Sequence, residues 1–316
     1  MNIEDLIQHK KQYIKKLESD KKASLTIKSY SYNLDKMMEY IENNCGDEFN
    51  IKTTILAYID NLDKSYKATT INTIRSAIRG FISFLHSREY IKEDFGGSIT
   101  FLKEYTTPKE ILEPGEIDEI YNVLVSELKG AKGYNVFYKA RNFILFAFLL
   151  YTGVRRSEVV KVKWSDIDFI NNEITIIGKG NKTRIIPLKT ELKQQLYTYR
   201  DILEQMNMVG YNVKSEYIFR SEKRNKITKL KDKPMTGKNV EIIIKDICNK
   251  AGVEKNITPH SIRHTFASYG IKNGMNPPSL TDILGHSAQS TTLNIYTHEI
   301  SMREKKKEME KIKFDI

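Results

Sequence analysis

The run at 140–150, Ala-Arg-Asn-Phe-Ile-Leu-Phe-Ala-Phe-Leu-Leu, leaves this chain few folding options. A helix over it is apolar almost all round, so protein must enclose it on every side. Its densest part, 143–151, is far too short to span a bilayer, which predicts a buried helix at the centre of a globular domain. Thr152-Gly153 ends the pattern, and a glycine there suits a left-handed C-terminal cap. Arg155, Arg156, Ser157 and Glu158 follow at once, with a short helix expected to about residue 162. An arginine at this break emerges from the end of a buried helix and can be held rigidly.

The remaining periodicity divides the chain in two. Apolar residues recur at helical spacing over 4–19, 24–44, 53–62 and 69–87, so residues 1–105 read as a compact four-helix domain. Its polar faces carry Lys28, Lys67, Arg75 and Arg79, which could meet phosphates. Gly96-Gly97, Thr106-Thr107-Pro108 and Pro114-Gly115 punctuate its end, placing a linker at 106–112 and a second domain at 113–316. In that second domain helices are expected at 112–128, 140–150, 190–206, 237–251, from Pro259, at 278–284 and at 291–298. Ile-rich stretches at 167–169, 174–177 and 184–188 read as short strands. The last two flank Gly178-Lys179-Gly180-Asn181-Lys182, a tight hairpin tip that presents Lys179. The expected fold class is therefore mainly α with a small antiparallel β-sheet (α+β).

A chain of 316 residues can give each of two domains a core. The two cysteines, Cys45 and Cys248, offer neither metal spacing nor a disulfide framework, and the acidic N-terminus does not resemble a signal peptide. A cytoplasmic protein with no membrane partner fits both. The net charge of +11 is unevenly spread. Residues 1–105 hold 16 basic and 15 acidic side chains, whereas 106–316 hold 35 and 25, and 220–238 alone hold eight against two. A polyanion is the natural partner, and nucleic acid suits it better than a membrane, since no basic amphipathic helix stands out.

Thr258-Pro259-His260-Ser261-Ile262-Arg263-His264-Thr265 reads as a helix start, with Thr258 as cap and Pro259 at the first helical position. His260 and Arg263 lie three apart, near one another in the first turn. An imidazole and a cation beside unpaired N–H groups at the positive end of a helix dipole suit an anion such as phosphate.

Arg155, Lys179, His260 with Arg263, Gly285-His286 and Tyr296 form an ordered set. It is carried by the strings Thr-Gly-Val-Arg-Arg-Ser-Glu (152–158), Ile-Gly-Lys-Gly-Asn-Lys (177–182) and His-Ser-Ile-Arg-His-Thr-Phe-Ala (260–267), followed by Leu-Gly-His-Ser (284–287) and Thr-Thr-Leu-Asn-Ile-Tyr-Thr-His (291–298). This set resembles the tyrosine recombinase (phage-integrase, Xer-like) family over about 112–298. One departure is an extra residue between His286 and Tyr296 relative to the shortest family versions. Position alone does not choose between Arg155 and Arg156; the family motif selects Arg155.

The resemblance implies an N-terminal core-binding, SAM-like DNA-binding domain, a catalytic domain, and the two domains forming a C-shaped clamp on duplex DNA. It implies site-specific strand cleavage and rejoining through a 3′-phosphotyrosine, and Holliday-junction strand exchange for a mobile element, phage or plasmid. Tyr296 would be the nucleophile, Arg155 and Arg263 the clamp on the non-bridging oxygens, and Lys179 the proton donor to the departing 5′ oxygen. His260 would assist proton transfer and His286 would donate a hydrogen bond to the phosphate. Glu158 would steady Arg155 or the fold, while His264 and His298 would be structural. No cofactor or metal is called for, since the link through tyrosine conserves the bond energy and no P-loop or Asp-rich site is present in the sequence. The implied partners are double-stranded recombination sites, three further copies in a homotetramer on paired sites, and accessory DNA-bending proteins in some systems. The tail at 301–316 places Met302, Met309 and Ile312 on one helical stripe, which by resemblance would dock on a neighbouring subunit. A type IB topoisomerase-like enzyme and a non-catalytic DNA-binding regulator are the alternatives. The intact six-residue set argues against the second.

Overall fold

The computed structural model describes residues 2–46, 49–62, 66–104, 110–221 and 232–285, with Lys179 described through its backbone. His286, Tyr296, the helix expected at 291–298, the tail at 301–316, and most of both the expected linker and the basic stretch lie outside these residues. The chain forms two compact units, Met1–Thr107 and Pro108–Ile316.

The first unit contains α1 (Ile3–Ser19), α2 (Ser24–Asn44), α3 (Ile51–Leu62) and α4 (Ala68–Ser87). Asn2 caps α1 by accepting from the Asp5 N–H at 2.8 Å. The apolar stripes meet as the periodicity requires: α2 packs against each of the other three, and Leu6, Leu34, Met37, Ile55, Ile71 and Phe81 are fully buried. Beyond a single 3-10 turn, Phe95–Ser98, the chain runs back along α4. Asn72 holds it there, its amide donating to the Leu102 carbonyl at 2.9 Å and its oxygen accepting from the Leu102 N–H at 2.8 Å. This return strip corrects one expectation. Arg75 does not lie on an open polar face: it is buried and donates to the Thr100 carbonyl at 2.6 Å. Arg79 lies over the Phe101 ring at 5.1 Å, and Lys28 and Lys67 remain exposed.

The second unit is built around the apolar helix. α5 (Pro114–Lys129) precedes it, and α6 (Asn135–Thr152) buries every residue from Ile144 to Leu149. α6 starts five residues before the expected boundary because Phe137 joins Met206 and Val213 in a separate apolar cluster, which extends the helix beyond the run that marks it in the sequence. α7 (Arg156–Val159) is a single turn. Strands β1 (Ile167–Asp168), β2 (Glu173–Ile177) and β3 (Thr183–Pro187) form an antiparallel sheet in the order β1-β2-β3. Ile174 faces Ile167 on one side and Ile186 on the other. α8 (Thr190–Met208), α9 (Gly237–Lys250), α10 (Pro259–Lys272) and α11 (Pro277–Leu284) complete the unit, and α6 packs against α5, α8 and α10. Among the described residues no helix is long and apolar enough to cross a membrane.

Gly153 ends α6 in the left-handed conformation at φ +59°, and its N–H donates to the Leu149 carbonyl at 3.0 Å. A Cβ there would lie 2.5 Å from the Phe266 ring and 3.0 Å from the Leu284 side chain. Position 153 therefore requires both the glycine backbone and the empty space beside it. Gly153→Ala should lower the stability of the second unit by about 2–4 kcal/mol, combining the left-handed penalty with overpacking, as read by chemical denaturation.

Candidate active site

Three helix ends and one strand supply the site. The Thr258 hydroxyl accepts from the Ser261 N–H at 3.1 Å and the Ser261 hydroxyl accepts from the Thr258 N–H at 3.2 Å, a reciprocal cap that fixes the start of α10. One turn on, Thr265 donates to the Ser261 carbonyl and accepts from the Leu112 N–H, both at 3.0 Å, which ties the entry of α5 to α10. His260 stays exposed in the first turn, its ring edge-on to buried His264 at 4.4 Å.

Arg263 takes a different course. It is 2% exposed and reaches inward, donating to the Gly153 and Leu284 carbonyls, each at 2.8 Å. The positive end of its own helix repels a guanidinium, while the carbonyl-rich C-terminal ends of α6 and α11 attract one. The cation expected at the start of α10 thus serves two other helix ends.

Arg155 meets it there. Its Nη1 donates to the same Leu284 carbonyl at 3.2 Å and its Nη2 to the Gly285 carbonyl at 2.8 Å. The two guanidinium groups share an acceptor although 108 positions separate them in the chain. Arg156, the other arginine at this break, turns away and pairs with Glu241. Arg155 keeps a side chain 37% exposed, so its position is fixed while it still faces the surface.

Glu158 fixes it. This carboxylate is 4% exposed and accepts from the Arg155 N–H at 2.9 Å, from Arg155 Nη1 at 2.9 Å, and from Arg184 Nη1 and Nη2 at 3.1 and 2.7 Å. Arg184 uses its remaining edge on the Ile283 carbonyl, at 2.7 Å from Nε. The last carbonyls of α11 and its cap are thus satisfied by three arginines. Gly285 closes α11 at φ +66°, and a Cβ on it would come within 2.9 Å of Arg184.

The hairpin tip lies beside this cluster. The Gly178 N–H donates to the Lys182 carbonyl at 2.8 Å, and Gly180 makes the reversal at φ +74°. A Cβ on Gly178 would be in contact with Glu158 Oε1 at 3.4 Å, so the backbone entering Lys179 passes over the carboxylate. The structure therefore gathers Arg155, Arg263 and the backbone approach to Lys179, with His260 exposed at the start of α10. The sequence reading missed Arg184. Its signal was available: with a period of two along β3, Arg184 shares the inward face with buried Ile186, and a guanidinium on an inward face needs a buried partner.

Burial pushes the Glu158 carboxyl up, but the Arg184 hydrogen bonds and charge, together with the Arg155 backbone and side-chain bonds, outweigh it and bring it from 4.5 down to about 2. A carboxyl held lower in the folded state contributes stability that is full above about pH 4.5 and is lost as pH falls toward 2. Glu158→Gln should cost about 3–5 kcal/mol at pH 7, since it strands buried arginine charge. Urea denaturation should show the gap between wild type and variant narrowing as pH falls through that window.

Both units resemble known proteins. The phage integrase family pattern matches residues 111–302, and the N-terminal SAM-like domain of phage integrases matches residues 11–89. The tyrosine recombinase XerD of Staphylococcus haemolyticus is 27% identical over 292 residues, covering 91% of this chain and 92% of the relative. The tyrosine recombinase XerC of Pediococcus pentosaceus is 27% identical over 278 residues, covering 86% and 87%. The fold is that of the XerH site-specific recombinase in its post-cleavage complex with palindromic difH substrate, with a TM-score of 0.69 at 23% identity over 89% of this chain and 78% of that one. With two family patterns in chain order, and one of them spanning most of the second unit, the chain belongs to the phage integrase family of tyrosine recombinases.

Proposed function

We propose that this chain is a site-specific DNA recombinase that breaks and rejoins strands through Tyr296. Relatives named tyrosine recombinases match it over most of its length, and solved structures of the same fold include a λ integrase tetramer bound to a Holliday junction. The observation that carries the reading is the convergence of Arg155 and Arg263 on the Leu284 carbonyl, one residue before Gly285 and two before His286. Planar guanidinium groups held in this way can bind two non-bridging oxygens of one phosphodiester and stabilise the charge that grows on them during attack.

In this mechanism the Tyr296 phenolic oxygen attacks phosphorus in line, with His260 assisting removal of its proton. The bond from phosphorus to the 5′ oxygen breaks, Lys179 gives that oxygen a proton, and the 3′ phosphate stays on tyrosine. His286 donates a hydrogen bond to the phosphate. Attack by a 5′ hydroxyl from a partner strand reverses the step with no external energy source. The first unit, 1–105, serves as the core-binding DNA domain, 106–112 as the linker, and 113–316 as the catalytic domain. The partners are duplex recombination sites and three further copies of the chain, with accessory DNA-bending proteins in some settings, in the cytoplasm. The tail at 301–316 docks on a neighbouring copy. The setting is a mobile element, phage or plasmid.

Covalent capture tests the reading. Wild-type protein incubated with nicked duplex carrying its site, then denatured, should yield a DNA-linked band whose tryptic peptide contains Tyr296. Tyr296→Phe should bind the same DNA and lose at least about 1,000-fold in adduct yield, because only the nucleophile is removed. An adduct of undiminished yield in Tyr296→Phe would assign the nucleophile elsewhere. Exchange between two duplexes separates a recombinase from an enzyme that only nicks and reseals.

A further inference from the structure

We infer that Arg184 is a positioning residue for strand cleavage: it locks the hairpin that carries Lys179 to Glu158 and to the end of α11, and acts on the reaction through Lys179. The inference rests on the reading of Lys179 as the proton donor. Arg184 sits opposite Ile176, one pair before Ile177 and Thr183 close the hairpin. From there its guanidinium spans three parts of the unit. It is bidentate to Glu158 at 3.1 and 2.7 Å, which belongs to α7, and it donates to the Ile283 carbonyl at 2.7 Å, near the end of α11.

The close approaches show how tight this link is. A Cβ on Gly178, the residue before Lys179, would lie 3.6 Å from Arg184 Nη1. A Cβ on Gly285, the residue before His286, would lie 2.9 Å from the same atom. One side chain therefore lies against the backbone entering both residues, while Glu158 carries the connection on to Arg155 at 2.9 Å. All three guanidinium nitrogens of Arg184 donate to protein acceptors, Nε to the Ile283 carbonyl and Nη1 and Nη2 to Glu158, so its fork is committed to holding the protein. The five residues 178–182 join the two strands, and Gly180 and Asn181 turn the chain with positive φ, at +74° and +61°, so Arg184 anchors this loop from its β3 side. Lysine could replace the charge but not the fork that binds two carboxylate oxygens and a carbonyl at once.

The test uses full-length Arg184→Gln and Arg184→Lys with Lys179→Ala as reference. The probe is a nicked duplex built on the site mapped by covalent capture, with either oxygen or sulfur at the scissile 5′ bridging position. A sulfur leaving group needs no proton, so it bypasses the proton donor. Arg184→Gln should cleave the oxygen duplex about 100-fold more slowly than wild type and the sulfur duplex within about tenfold of it. Arg184→Lys should fall between wild type and Arg184→Gln on oxygen and match wild type on sulfur. Where Arg184→Gln fails to give a cooperative melt, Arg184→Lys carries the same comparison. Equal slowing on both duplexes, or no slowing on either, overturns the inference while Lys179→Ala remains rescued by sulfur. If Lys179→Ala itself is not rescued, the proton-donor reading fails first and the inference falls with it.

Discussion

The buried carboxylate of Glu158 is the interaction on which the second unit's working surface depends. A carboxylate 4% exposed loses most of its hydration, and only charged or well-aimed donors can replace it. Here two guanidinium groups and one backbone N–H do so, and they come from Arg155, just before α7, and from Arg184 on β3. The sheet, the helix break after α6 and the end of α11 are joined through one buried charge cluster. Each of the three arginines also donates to a carbonyl near the end of α11, Arg155 and Arg263 sharing that of Leu284, which ties the cluster to that helix end.

Helix ends supply the rest of the geometry. α6 and α11 both stop at glycines in the left-handed conformation, Gly153 at φ +59° and Gly285 at φ +66°. Both ends leave carbonyls facing the same region, and the negative ends of two helices make it favourable to collect cations there. That explains why Arg263, carried on the positive end of α10, runs away from its own helix start. On the proposed function it also accounts for a preformed phosphate clamp: neutral backbone acceptors gather the arginines, with Glu158 as the buried acid beside them.

Much of this was legible in the sequence because it follows from period and punctuation. The 3.6-residue stripes located all four helices of the first unit, and Gly153, Pro259 and the Gly-flanked turn marked ends that depend on local backbone chemistry alone. The pairing of strands and the α+β class followed from the same signals. What escaped was set by partners distant in the chain. Arg75 reads as surface charge on an amphipathic helix and is buried because residues 99–102 return across it. The start of α6 depends on Phe137 meeting Met206 and Val213, some 70 positions away. Arg184 looks like an unremarkable strand residue until its inward face is matched with an acid from α7, and the anion-site reading of the 258–265 stretch could not show that Arg263 serves other helices.

The most direct measurement is a double-mutant cycle on stability at pH 7, comparing Glu158→Gln, Arg184→Gln and the pair. If Glu158 and Arg184 act as one unit, the double variant should be no more than about 1 kcal/mol less stable than the worse single variant, because either change already removes the bidentate link between them. Losses that add to within about 0.5 kcal/mol would show Glu158 and Arg184 contributing independently, and would contradict a shared cluster as the organiser of this site.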